Sequence, residues 1–318
     1  MTPNPPSGTT STPTPQSYTM FWGCTIPYRL PFIELAIRKT WEKLGVSTTD
    51  LPFSCCPDPG GIQSFDIRTW TTLAARNLTL AEEKGLNIIS ACNGCFETLK
   101  IADSYLRKDK ALQSSVNNTL KIATGRVWKG TTKLTHILEY LIKDITIAKL
   151  KAKIVRPLTG MKVVTHVGCH FMRPHTIMQT DDPNYPVLLK RILQDVLDIE
   201  TVPYFGETSC CGAGVRGVDS ELALDMAHNK LHEMDQANEI SGIVVTCPTC
   251  FNSFDGQQKL VNRKFGRNVE LPVFHLFELL AIGMGVSAGD LGLQSHLVKV
   301  DSGNFASENR RKELFLTH

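Results

Sequence analysis

The sequence has little of what would place it in a membrane, on nucleic acid or outside the cell. No apolar run reaches the roughly 18 residues that a membrane span needs. The best stretch, His275 to Val286, is short and interrupted by Glu278. A strong basic excess is also missing: 34 Lys and Arg against 31 Asp and Glu leave a net charge of +3. A dedicated nucleic-acid binder would carry far more positive charge, so no such partner is expected. The first residues hold neither a basic start nor an apolar stretch, so no secretory signal is read there. A cytoplasmic setting is therefore expected, where free thiols persist and structural disulfides are rare. The glycosylation patterns at Asn77 and Asn117 carry no weight in that setting.

What is present is enough chain for about two domains. The 318 residues are 42% apolar and 20% charged, which excludes wholesale disorder. Residues 1–18 are nearly all Pro, Thr, Ser, Gly, Asn and Gln up to position 17 and are expected to be a disordered tail. The two domains are expected at 19–155 and 156–286, with a link from Lys151 to Gly160. A C-terminal extension, 287–318, turns polar, carries Arg310, Arg311 and Lys312, and reads as a solvated or partner-docking tail.

The unusual count is ten cysteines. They are Cys24, Cys55, Cys56, Cys92 and Cys95, then Cys169, Cys210, Cys211, Cys247 and Cys250. Each set is a single cysteine, an adjacent pair and a C-x-x-C. The stretch between pair and C-x-x-C has the same length in both copies, residues 57–91 and 212–246. The stretch between single cysteine and pair differs, residues 25–54 and 170–209. Duplication followed by a loop insertion produces that combination.

The surroundings repeat as well. Tyr18-Thr-Met-Phe-Trp-Gly-Cys24 and Lys162-Val-Val-Thr-His-Val-Gly-Cys169 read as strands ending in Gly-Cys. Asn87-Ile-Ile-Ser-Ala-Cys92 and Ile243-Val-Val-Thr-Cys247 are short β-branched runs entering each C-x-x-C. Helical stretches are expected at Thr69–Lys84, Ser220–Ala237, Phe96–Leu106 and Phe251–Val261, with a long helix at Leu134–Leu150. Strands alternating with helices predict an α/β fold with mainly parallel sheets, one per copy, related by a pseudo-twofold axis. Ligands in such sheets sit beyond the carboxyl ends of strands, where each single cysteine and each C-x-x-C falls.

Five cysteines per copy restrict the chemistry. Buried structural thiols explain scattered cysteines, not a duplicated quintet. Disulfides suit neither the compartment nor an odd number, and adjacent cysteines bridge badly. A closed zinc site takes four ligands and leaves one spare in each copy. A thioredoxin-like pair at Cys247-Pro-Thr-Cys250 leaves three cysteines unexplained. An iron–sulfur cluster has several irons and takes thiolates as its usual ligands. A C-x-x-C opening a helix also points N–H groups at a negatively charged cluster.

The two quintets resemble the cysteine-rich CCG domain. Two copies in this order, with Cys210-Cys211-Gly-Ala-Gly, Phe21-Trp-Gly-Cys24 and Ser90-Ala-Cys-Asn-Gly-Cys95, resemble the B subunit of heterodisulfide reductase from about residue 19 to 286. The first pair is followed by Pro57 where the second has Gly212. The resemblance implies two noncubane 4Fe–4S clusters, one per quintet, that reduce the coenzyme M–coenzyme B disulfide or run the reverse reaction. It also implies three partners from the heterodisulfide reductase system: the small ferredoxin-like iron–sulfur subunit, the flavin-containing subunit, and a hydrogenase or other electron-input module. The chain itself shows no flavin motif and no separate ferredoxin-type cysteine run, so its electrons are expected from those partners. Rival readings are a sulfur-metabolism or thiol:fumarate reductase relative, and a metal-binding relay or scaffold protein.

Beside that resemblance, the residues themselves offer candidates. His170, directly after Cys169, is the candidate proton donor for the thiolate products. His166, His175 and His275 read as structural. Arg29, Arg173 and Arg216 follow cysteines closely and are candidates for binding the oxyanion groups of the substrate. Gly212-x-Gly214-x-x-Gly217 matches the dinucleotide fingerprint in form but follows a cysteine pair. Its glycines are expected to let backbone approach the metal group.

Overall fold

The computed structural model describes residues 17–237, 239–300 and 305. Most of the expected tail and the basic residues at 310–312 lie outside the described residues. Four strands of the first half, β1 (Tyr18–Phe21), β2 (Thr48–Thr49), β3 (Asn87–Ser90) and β4 (Leu134–His136), form a sheet in the order β2-β1-β3-β4. Four of the second half, β5 (Lys162–His166), β6 (Glu200–Thr201), β7 (Gly242–Val245) and β8 (Val273–His275), repeat it as β6-β5-β7-β8. Every pairing is parallel. The expected pseudo-twofold α/β fold with two parallel sheets is therefore found. The central strands are buried on both faces, as the unbroken runs Ile88-Ile89 and Ile243-Val244-Val245 require.

Register sets the height of the cysteines. Phe21 pairs with Ser90, and His166 with Val245. The loops carrying Cys24 and Cys92 thus leave adjacent strands at the same level, as do those carrying Cys169 and Cys247. Helices Ile67–Glu83 and Ser220–Asp235 follow each cysteine pair, and the Asp66 and Asp219 carboxylates cap them by accepting the N–H of Thr69 and Leu222. Helices Asn93–Lys108 and Pro248–Phe265 start at Cys92 and Cys247, which hold the extended N-cap conformation.

Two expectations are corrected. The segment Leu134–Leu150 is not one helix. Its first three residues form β4, paired with Ile88–Ser90, because the open edge of β3 outweighs local helix propensity. The remainder is a turn, Ile137–Tyr140, a wide π turn, Leu141–Ile145, and a restart at Ile147–Lys151 after Thr146, whose φ is +77°. The C-terminal extension is not a solvated tail over its described part. Leu291, Leu293 and His296 are buried, and Asp255 accepts the N–H of Leu297 and Val298 at 2.9 and 3.0 Å.

That extension seals the seam between halves. The His296 ring packs 4.9 Å from Phe32 of the first half and 5.0 Å from Phe251 of the second. Its Nε2 meets the fully buried Glu278 Oε1 at 2.8 Å. Trp41 against Phe277 and His136 against Phe171 cross the same seam at 5.3 and 4.6 Å. One hydrophobic core therefore runs through both halves. The link holds to the second half, where Gly283 O accepts the N–H of Val155 and Arg156. Among the described residues, no helix is long and apolar enough to cross a membrane.

Candidate metal centre

All ten cysteines line one cavity of about 330 Å³. All ten are free thiols. Cys24 and Cys55 are exposed, Cys169 and Cys210 half-buried, and the other six buried. The thiols follow one another in a single file, each acting on the next. Cys24 reaches Cys55, then Cys56, Cys95 and Cys92. Cys92 meets Cys247 across the seam, and the file continues through Cys250, Cys211, Cys210 and Cys169. Two of these contacts are Cys211–Cys250 at 3.5 Å and Cys169–Cys210 at 3.8 Å. The file reads the same from either end, with its midpoint between Cys92 and Cys247.

The Gly-Cys repeats have a packing cause. Gly23 and Gly168 both have positive φ, +69° and +88°. A Cβ on Gly23 would sit 2.8 Å from the Cys95 sulfur. On Gly168 it would sit 2.5 Å from Asn93 Nδ2 and 3.4 Å from the Cys250 sulfur. Gly23 thus lets its strand end close on the C-x-x-C of its own half, and Gly168 lets its strand end close on the C-x-x-C of the other half.

Main-chain donors converge on the sulfurs. The N–H groups of Asn93 and Cys250 point at Cys247, that of Cys95 at Cys92, and that of Gly212 at Cys210, 3.4 Å away. Hydrogen bonds from Cys169 and Cys211, and then Gly212 N–H, hold the Cys210 thiol down at about 2. Cys55 and Cys95 hold Cys56 down at about 4. Depressed thiols of this kind are metal ligands and nucleophiles at neutral pH.

The donor set fits an iron–sulfur group. Ten thiols exceed the need of tetrahedral zinc. His166 is buried, and neither ring nitrogen has a hydrogen-bond partner. One of those nitrogens and the sulfurs of Cys211 and Cys250 lie within 4.8 Å of one another. Asn93 Oδ1 is likewise buried and unpartnered, while its Nδ2 donates to Val167 O at 2.6 Å. Buried polar atoms rarely stay unpaired, and Asn93 lines the cavity, so its wall fits a polar, sulfur-rich occupant.

His170 lines the cavity, and its Nδ1 bonds the Glu97 carboxylate, which the first half contributes. Burial opposes protonation of His170, but the Glu97 hydrogen bond and charge outweigh it and raise the pKa. None of Arg29, Arg173 and Arg216 is among the lining residues. Arg29 and Arg173 are exposed, Arg173 donating to Thr208 O at 3.3 Å, and Arg216 is half-buried. His175 is exposed, and His275 is buried at the start of the helix Leu276–Gly283. The glycine run meets the cavity in part: the Gly212 N–H reaches the Cys210 sulfur and Gly214 lines the cavity, while Gly217 is not among the lining residues. A Cβ on Gly212 would strike Ala223 O at 2.6 Å, on the following helix, whereas Gly214 and Gly217 face open space.

Several residues were not singled out from sequence. Glu97 is one. Lys230 is another: it is buried, its ammonium grips Gly206 O and Glu207 O at 2.6 and 2.8 Å, and burial lowers its pKa to about 8. A His-x-x-Glu repeat was also missed. Glu139 and Glu278 each accept the main-chain N–H three residues back, at His136 and His275. Burial pushes those imidazoles down to about 3 and about 4. The repeat was visible as His136-Ile-Leu-Glu139 and His275-Leu-Phe-Glu278.

Known proteins are similar to this chain. The cysteine-rich CCG domain matches twice, at residues 18–100 and 163–255. The chain is 37% identical to the B subunit of the ferredoxin/F420H2-dependent CoB-CoM heterodisulfide reductase of Methanosarcina acetivorans, over 88% of this chain and 93% of that protein. It is 26% identical to the 8-methylmenaquinol:fumarate reductase membrane anchor subunit of Wolinella succinogenes, over 89% of this chain and 97% of that protein. A hypothetical protein from Helicobacter pylori has the same fold, with a TM-score of 0.73 at 18% identity, over 91% of this chain and 53% of that one. With both cysteine quintets in place along a matched length of this extent, the chain belongs to the family of heterodisulfide reductase B subunits, built from two CCG cysteine-rich domains.

Proposed function

We propose that the chain is the disulfide-reducing component of an electron-transfer complex, acting on the coenzyme M–coenzyme B heterodisulfide. Family membership makes it part of an oxidoreductase that works on a sulfur group. The observation that carries the reading further is the single cavity walled by ten free thiols in one file whose halves mirror each other. In this reading Cys24, Cys55, Cys56, Cys92 and Cys95 hold one noncubane 4Fe–4S cluster. Cys169, Cys210, Cys211, Cys247 and Cys250 hold the other. Bound there, such clusters supply electrons one at a time.

Cleaving a disulfide to two thiols consumes two electrons and two protons. Two sites flanking one cavity suit that count, with one substrate sulfur facing each. The cavity wall is exposed at Cys24 and Cys55 and half-exposed at Cys169 and Cys210, so the disulfide enters from that side. Glu97 fixes His170 Nδ1, which leaves Nε2 as the proton-donating atom. The electrons come from partner proteins of the complex, a small ferredoxin-like iron–sulfur protein and a flavin-containing one. The arginines, off the cavity wall, are not used.

The test is electron paramagnetic resonance of the anaerobically reconstituted, oxidised protein with and without coenzyme M thiol, beside iron and sulfide analysis. A new thiol-dependent signal is expected. Zinc without sulfide, or cluster signals indifferent to the thiol, would overturn the reading. The Wolinella relative supports a second one, service in a fumarate reductase complex. Thiol-dependent fumarate reduction by the assembled complex would separate the two.

A further inference from the structure

The two quintets are alike in sulfur and unlike in what surrounds it. Three residues before the single cysteine, the first copy has Phe21 and the second His166. His166 has both ring nitrogens unpartnered and one of them beside Cys211 and Cys250. Its ring stands edge-on to Phe254 at 5.0 Å, so no protein acceptor competes for its N–H. An imidazole there carries at least one N–H donor.

After the cysteine pair, the second copy has Gly212, whose N–H reaches the Cys210 sulfur at 3.4 Å. The first has Pro57, which has no N–H to give. Next comes Asp58, an exposed residue at the cavity whose carboxylate accepts the N–H of Gly60 and Gly61 at 3.1 and 2.9 Å and whose negative charge acts on Cys56.

The loops before the pairs differ in the same sense. In the second copy the buried Lys230 ammonium holds Gly206, Glu207 and Ser209, and its charge acts on Cys250, Cys211 and Cys210. Glu207 is balanced by Lys190 at 2.8 Å, so a net positive charge remains. In the first copy the corresponding grip is neutral. Asn77 accepts from Ser54 N–H at 2.9 Å and donates to Cys55 O at 3.1 Å. Arg76 contacts Asn77 and Pro52 O from a half-exposed position, where solvent screens it.

We propose that the two sites are unequal by construction: His166, Gly212 and Lys230 make the second quintet the more readily reduced centre, and Phe21, Pro57 and Asp58 make the first the less readily reduced. The inference rests on the two-cluster reading above. Reduction adds negative charge, and N–H donors or a buried cation near the sulfurs favour the reduced form. An anion and an apolar ring favour the oxidised one.

Potentiometric titration of the reconstituted full chain, followed by electron paramagnetic resonance, tests this without turnover. Iron and sulfide are measured on the same samples. Fewer than two clusters in the unaltered protein would defeat the two-cluster reading and this inference with it. With two clusters present, two separated reduction steps are expected. His166→Phe should move only the step at higher potential downward, by about tenfold in the reduced-to-oxidised ratio, about 59 mV for one electron. His166→Gln, which keeps an N–H, should restore part of the shift. Pro57→Gly adds a main-chain donor at the first quintet and should raise only the lower step. Coincident steps, unmoved steps, movement of the wrong step, or loss of iron in His166→Gln would overturn the inference with the two-cluster reading intact.

Discussion

Glu97, two residues past the C-x-x-C of the first half, bonds His170, which follows the first cysteine of the second half. The proton donor proposed for one half is thus set by a carboxylate from the other. His170→Gln should lower turnover about 10²–10⁴-fold, the usual worth of general acid catalysis, with iron and sulfide content unchanged. Glu97→Gln should act differently. It removes the partner that raises the His170 pKa, so the acid form is lost at lower pH. The alkaline limb of the rate profile should move to lower pH, and an unmoved limb would take Glu97 out of this role.

Cys95→Ser and Cys250→Ser should each remove about half of the bound iron and sulfide, because each breaks one quintet and spares the other. Chemical analysis after anaerobic reconstitution checks this. Loss of all metal in either variant would mean one shared group rather than two.

Gly23→Ala and Gly168→Ala should both impair metal assembly. Left-handed backbone costs about 1–2 kcal/mol for a residue with a side chain. The added methyl also meets the Cys95 sulfur at 2.8 Å or Asn93 Nδ2 at 2.5 Å. Gly45→Ala, at a φ of +68° with open space around it, should lower thermal stability alone and leave iron content intact.

The buried pair of His296 and Glu278 makes stability depend on pH. Burial works against the His296 cation, but the Glu278 hydrogen bond and charge outweigh it and raise the pKa above 6.5. A raised histidine contributes its full stabilisation below the unfolded pKa, about 6.5, and loses it as pH rises through the folded value. Denaturant midpoints should therefore fall from pH 6 towards alkaline pH, and His296→Gln should flatten the fall. His296→Ala should cost about 3–5 kcal/mol, since it strands a buried carboxylate.

Much of this arrangement was legible because it is duplicated. Two Gly-Cys strand ends and two C-x-x-C helix starts fix where parallel strands must finish, and the structure places them there. Strands β4 and β8 were not seen, because three residues carry too little periodicity, and at Leu134–His136 a helix-forming run follows directly. Glu97 and His170 are 73 residues apart and pair only across the seam. The position of the arginines was not legible either, since a few residues along a turn carry a side chain off the cavity wall. The docked extension was hidden because its buried residues, Leu291, Leu293 and His296, are spaced among polar ones.

The thiol file has its midpoint between Cys92 and Cys247, so each half presents the same face to the other. That is the geometry of an isologous dimer whose two protomers have been joined in one chain through residues 151–160. A dimer of identical protomers must change both faces with every mutation. Joined in one chain, the halves can diverge singly, and Phe21 opposite His166 is a divergence that no symmetric pair could make.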